Sequence, residues 1–419
     1  MHRTFYPLAG LCAWAAAVAA VAQTPPPQPP SQTSVVSVTP VPGPPAPPPP
    51  PPAFDPAIVP GPISHHVRQP DLVSPEVHAD RTVTFRFRST SSGPVLLSLE
   101  GSPTSIAMTP SDGNVWEATV GPLDPEYYGY SFRVDDQTLV DPGNSLLKPN
   151  VREVTSMVHV PGPSYLPWET NNIPHGEVHH HFYHSGIVGD DRDYYVYTPP
   201  GYETSGDRRY PVLYLLHGFS DDASGWTSIG LANVILDNLI ATHQARPMLV
   251  VMPLGYGLPA IVARHRVEPE PDPLRGANYE KFGETLLDEV LPQVEAEYRV
   301  VPDREHRAIA GLSMGGAESL LVGLNHLDTF AYVGSFSAGH FAADLPTSFP
   351  KVTSAINDQL RLLWVACGTE DGLLGNSRRL RAWLAQQGVA HVDIETPGMH
   401  CWLVWRSNLA AFAPLLFTH

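Results

Sequence analysis

Five nearly continuous apolar runs constrain the fold of this chain more than any other feature: residues 211–216, 248–252, 308–312, 331–336 and 362–367. Each has the length of a strand, and none alternates apolar with polar residues as a half-exposed strand does. Segments of helical period lie between or after them. Residues 282–298 put Leu286, Leu287, Val290, Leu291 and Val294 on one stripe, and 378–387 and 402–417 also read as helices. Strands apolar on both sides, alternating with amphipathic helices, imply a parallel sheet covered on both faces. With a shorter strand at 194–197 and a last one at 391–395, this α/β domain is expected over 178–419.

The chain before it reads differently. Residues 55–161 carry short strands at 82–87, 95–99, 115–120, 127–134 and 138–140, separated by Gly, Pro, Asp and Asn. That pattern predicts a small all-β sandwich, joined to the α/β domain by 162–177. Trp116, Tyr127, Tyr128 and Tyr130 would form either a sugar platform or part of its core. Proline numbers 47 in the chain, and about half of residues 24–52 are proline. Such composition cannot build a core, so 23–54 is expected to be an extended spacer. Residues 1–22 have a weakly basic start, an apolar Ala-rich stretch and a small-x-small ending at Ala22, as an export signal does. Secretion of a soluble protein is the resulting expectation, since no other apolar stretch is long enough to span a bilayer. The net charge of −17 comes without a basic run, which argues against a nucleic-acid partner.

Chemistry concentrates in three places. Gly311-Leu312-Ser313-Met314-Gly315 follows an apolar strand and precedes a helical segment. Two glycines there permit the tight turn that lifts a serine hydroxyl above the sheet, against a helix N-terminus that favours developing negative charge. On this arrangement an acid and then a histidine should follow in the chain. Residues 363–369 form a strand and a Gly turn ending in two carboxylates, Glu370 and Asp371, either of which suits the acid role. The strand at 391–395 and the turn Pro397-Gly398 lead to His400, the expected base. His217 and His340 precede the acid and are out of order for it. An oxyanion hole needs two backbone N–H groups, expected at Met314 and at Phe219 in the loop after His217-Gly218. His179, His180, His181 and His184 lack nearby ligands at metal spacing, so neither metal nor cofactor is expected.

Beyond these readings, the chain resembles esterases of the esterase-D type, carbohydrate esterase family one, which includes feruloyl and acetylxylan esterases. The resemblance rests on residues 196–202 (VYTPPGY), 214–218 (YLLHG), 308–316 (AIAGLSMGG), 367–371 (CGTED) and His400 with Trp402 and Trp405-Arg406. Residues 121–123 and 140–144 resemble the immunoglobulin-like domain that precedes many such enzymes. At the base, Gly398-Met399-His400-Cys401 departs from the family's usual Gly-Gly-His-Thr. The resemblance implies an α/β-hydrolase, with Asp371 rather than Glu370 as the acid. It also implies an acylated plant polysaccharide or oligosaccharide as substrate, carrying feruloyl or acetyl groups.

The expected chemistry is two-step acyl transfer through Ser313, His400 and Asp371, with Trp226 and Trp402 either lining an aromatic or sugar subsite or simply packed. Rival readings are an enterochelin-type esterase or an acyltransferase of the same fold, and a carbohydrate-binding protein without activity. Cys367 and Cys401, beside the acid and the base, would form a disulfide or remain buried thiols.

Overall fold

A computed structural model describes residues 72–263 and 272–418. The expected export signal (1–22), the proline-rich spacer (23–54) and the first part of the expected sandwich lie outside the described residues.

The apolar runs assemble as the centre of an eight-stranded sheet. Its strands in chain order are β1 (Glu177–His184), β2 (Asp191–Thr198), β3 (Val212–Leu216), β4 (Leu249–Pro253), β5 (Arg307–Leu312), β6 (Tyr332–Phe336), β7 (Leu362–Gly368) and β8 (Val392–Thr396). In space they run β1-β2-β4-β3-β5-β6-β7-β8. From β4 to β8 every neighbouring pair is parallel, while β1 with β2 and β2 with β4 are antiparallel. The sheet is therefore mixed, with an antiparallel hairpin at one edge of the expected parallel layer. Strands β3 to β6 are buried at every position. Each fully buried Leu, Val or Phe among them contributes roughly 1.5–3 kcal/mol of burial.

Helices cover both faces. They include α1 (Ala232–Ala241), α2 (Pro273–Thr285), α3 (Ser313–Asn325), α4 (Leu374–Gln386) and α5 (Trp402–Phe412). One core lies beneath α1 and α5 and contains Leu213, Ala310, Phe336, Trp364 and Phe412. The other holds Tyr214, Val251, Ile309, Leu320 and Val365. The helix expected over 282–298 begins earlier, at Pro273, where Asp272 accepts the N–H groups of Leu274 and Arg275. It then passes through a π turn at Leu286–Val290 into Leu291–Glu297. Pro292 has no N–H to give the carbonyl four residues back, and the wider turn accommodates that loss. The last helix stops at Phe412 rather than 417, followed by a 3-10 turn containing Pro414.

The upstream strands form two antiparallel sheets. One orders Glu76–Val77, Val83–Arg88, Val115–Val120 and Thr109–Ser111; the other is built on Leu96–Leu99, Glu126–Val134 and Thr155–Val160. Val83, Phe85, Leu97, Tyr130, Phe132 and Val160 form the core between them. Tyr128 and Tyr130 are buried there, and Trp116 packs against the same cluster. Tyr127 stacks on His159 with ring centroids 4.2 Å apart. Tyr128, Tyr130 and Trp116 thus belong to the packing of the sandwich, while Tyr127 is half-buried.

Candidate active site

Strand β5 ends at Leu312, and Ser313 opens α3 with a φ of 50°. A non-glycine residue rarely adopts that left-handed conformation, so the turn is sharp and strained. The flanking glycines make it fit. A Cβ on Gly311 would lie 2.4 Å from the Gly315 carbonyl oxygen, and one on Gly315 would lie 2.4 Å from that of His217. The Gly315 N–H instead donates to that His217 oxygen at 3.1 Å, tying the elbow to the loop after β3.

His400 Nε2 lies 3.0 Å from Ser313 Oγ, and Nδ1 lies 2.8 Å from Asp371 Oδ2. The Asp371 side chain is fully buried, while that of His400 is 35% exposed. Burial pushes the Asp371 carboxyl up, but the hydrogen bond and charge of His400 and the Leu373 N–H outweigh it and hold it below the usual range. An ionised Asp371 can only accept, so Nδ1 of His400 carries the donated proton and Nε2 is left to accept from the serine hydroxyl. Glu370, its neighbour in the turn, is exposed. The turn that carries Asp371 and the loop that carries His400 are laced together: Glu370 N–H donates to the Gly398 carbonyl at 2.9 Å and Thr369 N–H to that of Thr396 at 2.8 Å. A Cβ on Gly368 would meet the Gly398 oxygen at 2.5 Å, so only glycine allows this approach.

Met314 is the second residue of α3, where backbone N–H groups lack an intrahelical acceptor. Gly218 brings the loop before Phe219 against the serine; a Cβ there would sit 2.6 Å from Leu312 Cδ1 and 3.3 Å from Ser313 Cβ. Phe219, Ser313 and Met314 line one cavity of about 220 Å³. Ile261, Tyr279 and Leu373 supply more of its apolar wall, and Asp272, Arg275 and His340 its polar portion. His340 therefore reaches the cavity without bonding Ser313. Burial, with the charges of Arg275 and Arg379, lowers its pKa, and Asn376 Nδ2 lies 2.8 Å from its Nδ1. His217 is structural: Nδ1 donates to the Gly218 carbonyl at 2.8 Å and Nε2 accepts the Gly255 N–H at 2.8 Å. A larger hollow of about 740 Å³ between residues 340–346 and α4 shares His340 but not the serine.

Two points that the sequence left open take their packed alternative here. Trp226 and Trp402 are 0% and 2% exposed and pack edge to face at 5.1 Å, with Trp226 Nε1 donating to the Leu216 carbonyl. They are core beneath the site and line neither cavity, because α5 and the segment after β3 turn these faces inward. Cys367 and Cys401 are buried free thiols, so no bridge joins the acid strand to the base loop. The histidines of β1 make local pairs, as His180 does with Asp193 and His184 with Asp191, each at 2.8 Å. Glu177 and His179 of β1, with Glu203 in the turn after β2, bring ligand atoms within 4.8 Å of one another, remote in sheet order from β5.

The sandwich also reaches the site, which motif reading within the α/β region gave no means to see. Val151 N–H donates to the Ser220 carbonyl at 2.9 Å, and Asn150 Nδ2 donates to Ser220 Oγ at 3.0 Å. The Arg152 guanidinium lies 5.6 Å over the Phe219 ring. On the other side, Glu100, Lys148 and Thr155 share a cleft with Met399, His400 and Cys401.

The family model described as "Putative esterase" matches residues 185–416, more than half of the chain. A curated endo-1,4-beta-xylanase/feruloyl esterase of Xylanibacter ruminicola is 28% identical over 365 residues, covering 86% of this chain and 47% of that protein. The chain thus spans about half the length of that relative. Among solved structures, an enterobactin esterase of Shigella flexneri superposes with a TM-score of 0.59 at 19% identity, covering 80% of this chain and 92% of that one. A ferulic acid esterase of Anaeromyces mucronatus, solved with ferulic acid, gives 0.52 at 24% identity, covering 61% and 96%. Both show a shared fold. Among the described residues, no helix is long and apolar enough to cross a membrane.

Proposed function

The chain belongs to the esterase family, a carboxylic ester hydrolase by that membership, and from this premise we propose that it cleaves acyl esters of plant cell-wall polysaccharide through Ser313, His400 and Asp371. The observation that carries the reading is the hydrogen-bonded series Asp371–His400–Ser313 at the wall of an apolar cavity.

His400 Nε2 takes the Ser313 proton as Oγ attacks the ester carbonyl. The N–H groups of Met314 and Phe219 receive the developing oxyanion. His400 then protonates the departing sugar oxygen, leaving the acyl group on Ser313. Water, activated by the same imidazole, releases the acid. Asp371 keeps the ring in the required tautomer and stabilises its positive form. The acyl group occupies the cavity walled by Phe219, Ile261, Tyr279 and Leu373. Its aromatic lining and volume favour a feruloyl group, since an acetyl group would leave most of it unfilled. The 28% identity to a xylanase/feruloyl esterase supports the same choice. The export pattern of residues 1–22 supports action outside the cell.

Purified protein offered methyl ferulate, acetylated xylan and a catecholate-serine ester side by side tests this reading. Hydrolysis of methyl ferulate above the others is expected. Acetate release alone would overturn the choice of acyl group, preference for the catecholate ester would favour siderophore chemistry, and no turnover of any ester would overturn the enzymatic reading. Acyl transfer to an added alcohol without net hydrolysis would make the protein a transferase.

A further inference from the structure

Helix α5 begins two residues after His400, with Cys401 at its N-cap position. Ser, Thr, Asp or Asn there would accept a first-turn N–H; Cys401 makes no such bond. A different donor of that turn, the first helical N–H at Trp402, finds its acceptor in the sandwich, 302 residues away in sequence. Glu100 Oε1 accepts the Trp402 N–H at 3.0 Å. The same oxygen lies 3.1 Å from Lys148 Nζ, and Oε2 accepts the Gly129 N–H at 2.8 Å.

Glu100 is itself held rigidly. Its backbone N–H donates to the Gly129 carbonyl at 2.8 Å, and its side chain is 9% exposed. A Cβ on Gly129 would fall 2.7 Å from Glu100 Oε2, so glycine is what lets the carboxylate lie there. Burial pushes the Glu100 carboxyl up, but the Lys148 and Arg406 charges and the two backbone donors more than offset it and keep it ionised. One turn further along α5, the fully buried Arg406 donates to Glu126 at 2.8 Å and to the Tyr127 carbonyl, both in the sandwich. Leu403 packs against the sandwich core. The start of α5 is thus fixed from the sandwich side. The imidazole just before it has Asp371, Ser313 and the edge-on Trp405 ring at 4.9 Å as neighbours.

We propose that Glu100 is a positioning residue for His400, anchoring from the sandwich the first N–H of the helix that follows the base and so setting where the imidazole meets Ser313. This rests on His400 being the base. Glu100 touches no reacting atom; it acts through the Trp402 amide. A displacement of about 1 Å at a reacting group costs on the order of 100-fold in rate, and an unanchored first turn next to the base is a direct source of such displacement.

The test uses the full chain and a small soluble ester that cannot report on polysaccharide binding. Glu100→Ala should lower kcat about 10- to 100-fold with KM within about twofold, and slow covalent labelling of Ser313 by a phosphonate in proportion. Glu100→Gln has a single oxygen for the Trp402 and Gly129 N–H groups, so its amino group must face one of these donors and it should recover the loss only in part. Asp141→Asn is the control for sandwich stability: it weakens bonds from Ser74 Oγ (2.6 Å) and Tyr130 OH (2.8 Å) inside the sandwich. It should lower Tm while leaving kcat per folded molecule unchanged. Should Glu100→Ala not fold, Glu100→Asp withdraws the carboxylate from Trp402 while keeping the charge and carries the same expectation for kcat. The proposal is overturned if the Glu100 variants lower Tm but not kcat, or if Asp141→Asn lowers kcat equally. His400→Ala, run alongside, separates the two claims. Activity retained there defeats the reading of the base, whereas an inactive His400→Ala beside a fully active Glu100→Ala defeats only the positioning role.

Discussion

Replacing Asp371 by Asn changes one atom and should nearly abolish turnover. The carboxylate has two fixed partners: Oδ1 accepts the Leu373 N–H at 2.7 Å, and Oδ2 lies 2.8 Å from His400 Nδ1. An asparagine must give its single oxygen to Leu373, because an amino group there would face an N–H. Its amino group then faces His400 and donates to Nδ1. The imidazole proton moves to Nε2, which now donates to Ser313 Oγ at the place where it must accept. Loss of the correct tautomer costs about 10⁴-fold in kcat in a triad of this kind, or about 5.4 kcal/mol at 1.36 kcal/mol per tenfold. Asp371 does not line the cavity beside Ser313, so KM should stay within a few-fold. The fold should survive, because the substitution is isosteric and Leu373 keeps its acceptor. Steady-state kinetics on a soluble aryl ester, with Tm as a folding check, reads the effect. A variant that is folded and keeps a tenth of the wild-type kcat would refute the tautomer argument, as would an equal loss from Glu370→Gln at the exposed neighbour.

Gly218→Ala should lower Tm and, per folded molecule, kcat about 100-fold, because its Cβ would meet the buried Leu312 and push the Phe219 loop from Ser313; full activity in that variant would remove Phe219 from the proposed oxyanion role. Burial raises the Asp221 carboxyl to about 7. Its folded pKa thus exceeds its unfolded value of about 3.9, so the stability tied to its neutral form is complete below pH 4 and lost as pH rises through 7. Asp221→Asn should therefore melt higher than wild type at pH 8 and show no such gain at pH 4. A Tm difference independent of pH would show that Asp221 does not titrate in this window.

The central sheet was legible because β3 to β6 are buried at every residue, and a strand covered on both faces leaves a continuous apolar run. The serine turn was legible for a related reason: its geometry admits only glycine at 311 and 315, so the constraint is written in residue type. The acid was open between Glu370 and Asp371 from the residues alone, since adjacent carboxylates in a turn differ only in direction. Trp226 and Trp402 stayed open between subsite and packing because an aromatic residue beside a site does not declare which way it faces. The early start of α2 had a signal in Asp272-Pro273, a capping residue before a proline at the first helical position, but its first turns carry no apolar stripe. Glu100 had none, because it meets Trp402 across 302 residues through a backbone amide that any residue could offer.

The claim that Ser313 is the nucleophile can be tested most directly by following the covalent step itself. A p-nitrophenyl alkylphosphonate halts serine hydrolases after attack and releases nitrophenol as it does so. Wild-type protein should release one equivalent, lose esterase activity in step, and carry the phosphonyl group on the peptide containing Ser313. Ser313→Ala should do none of these while melting at the wild-type temperature. A phosphonyl group on any other residue, or ester turnover retained by folded Ser313→Ala, would contradict the account.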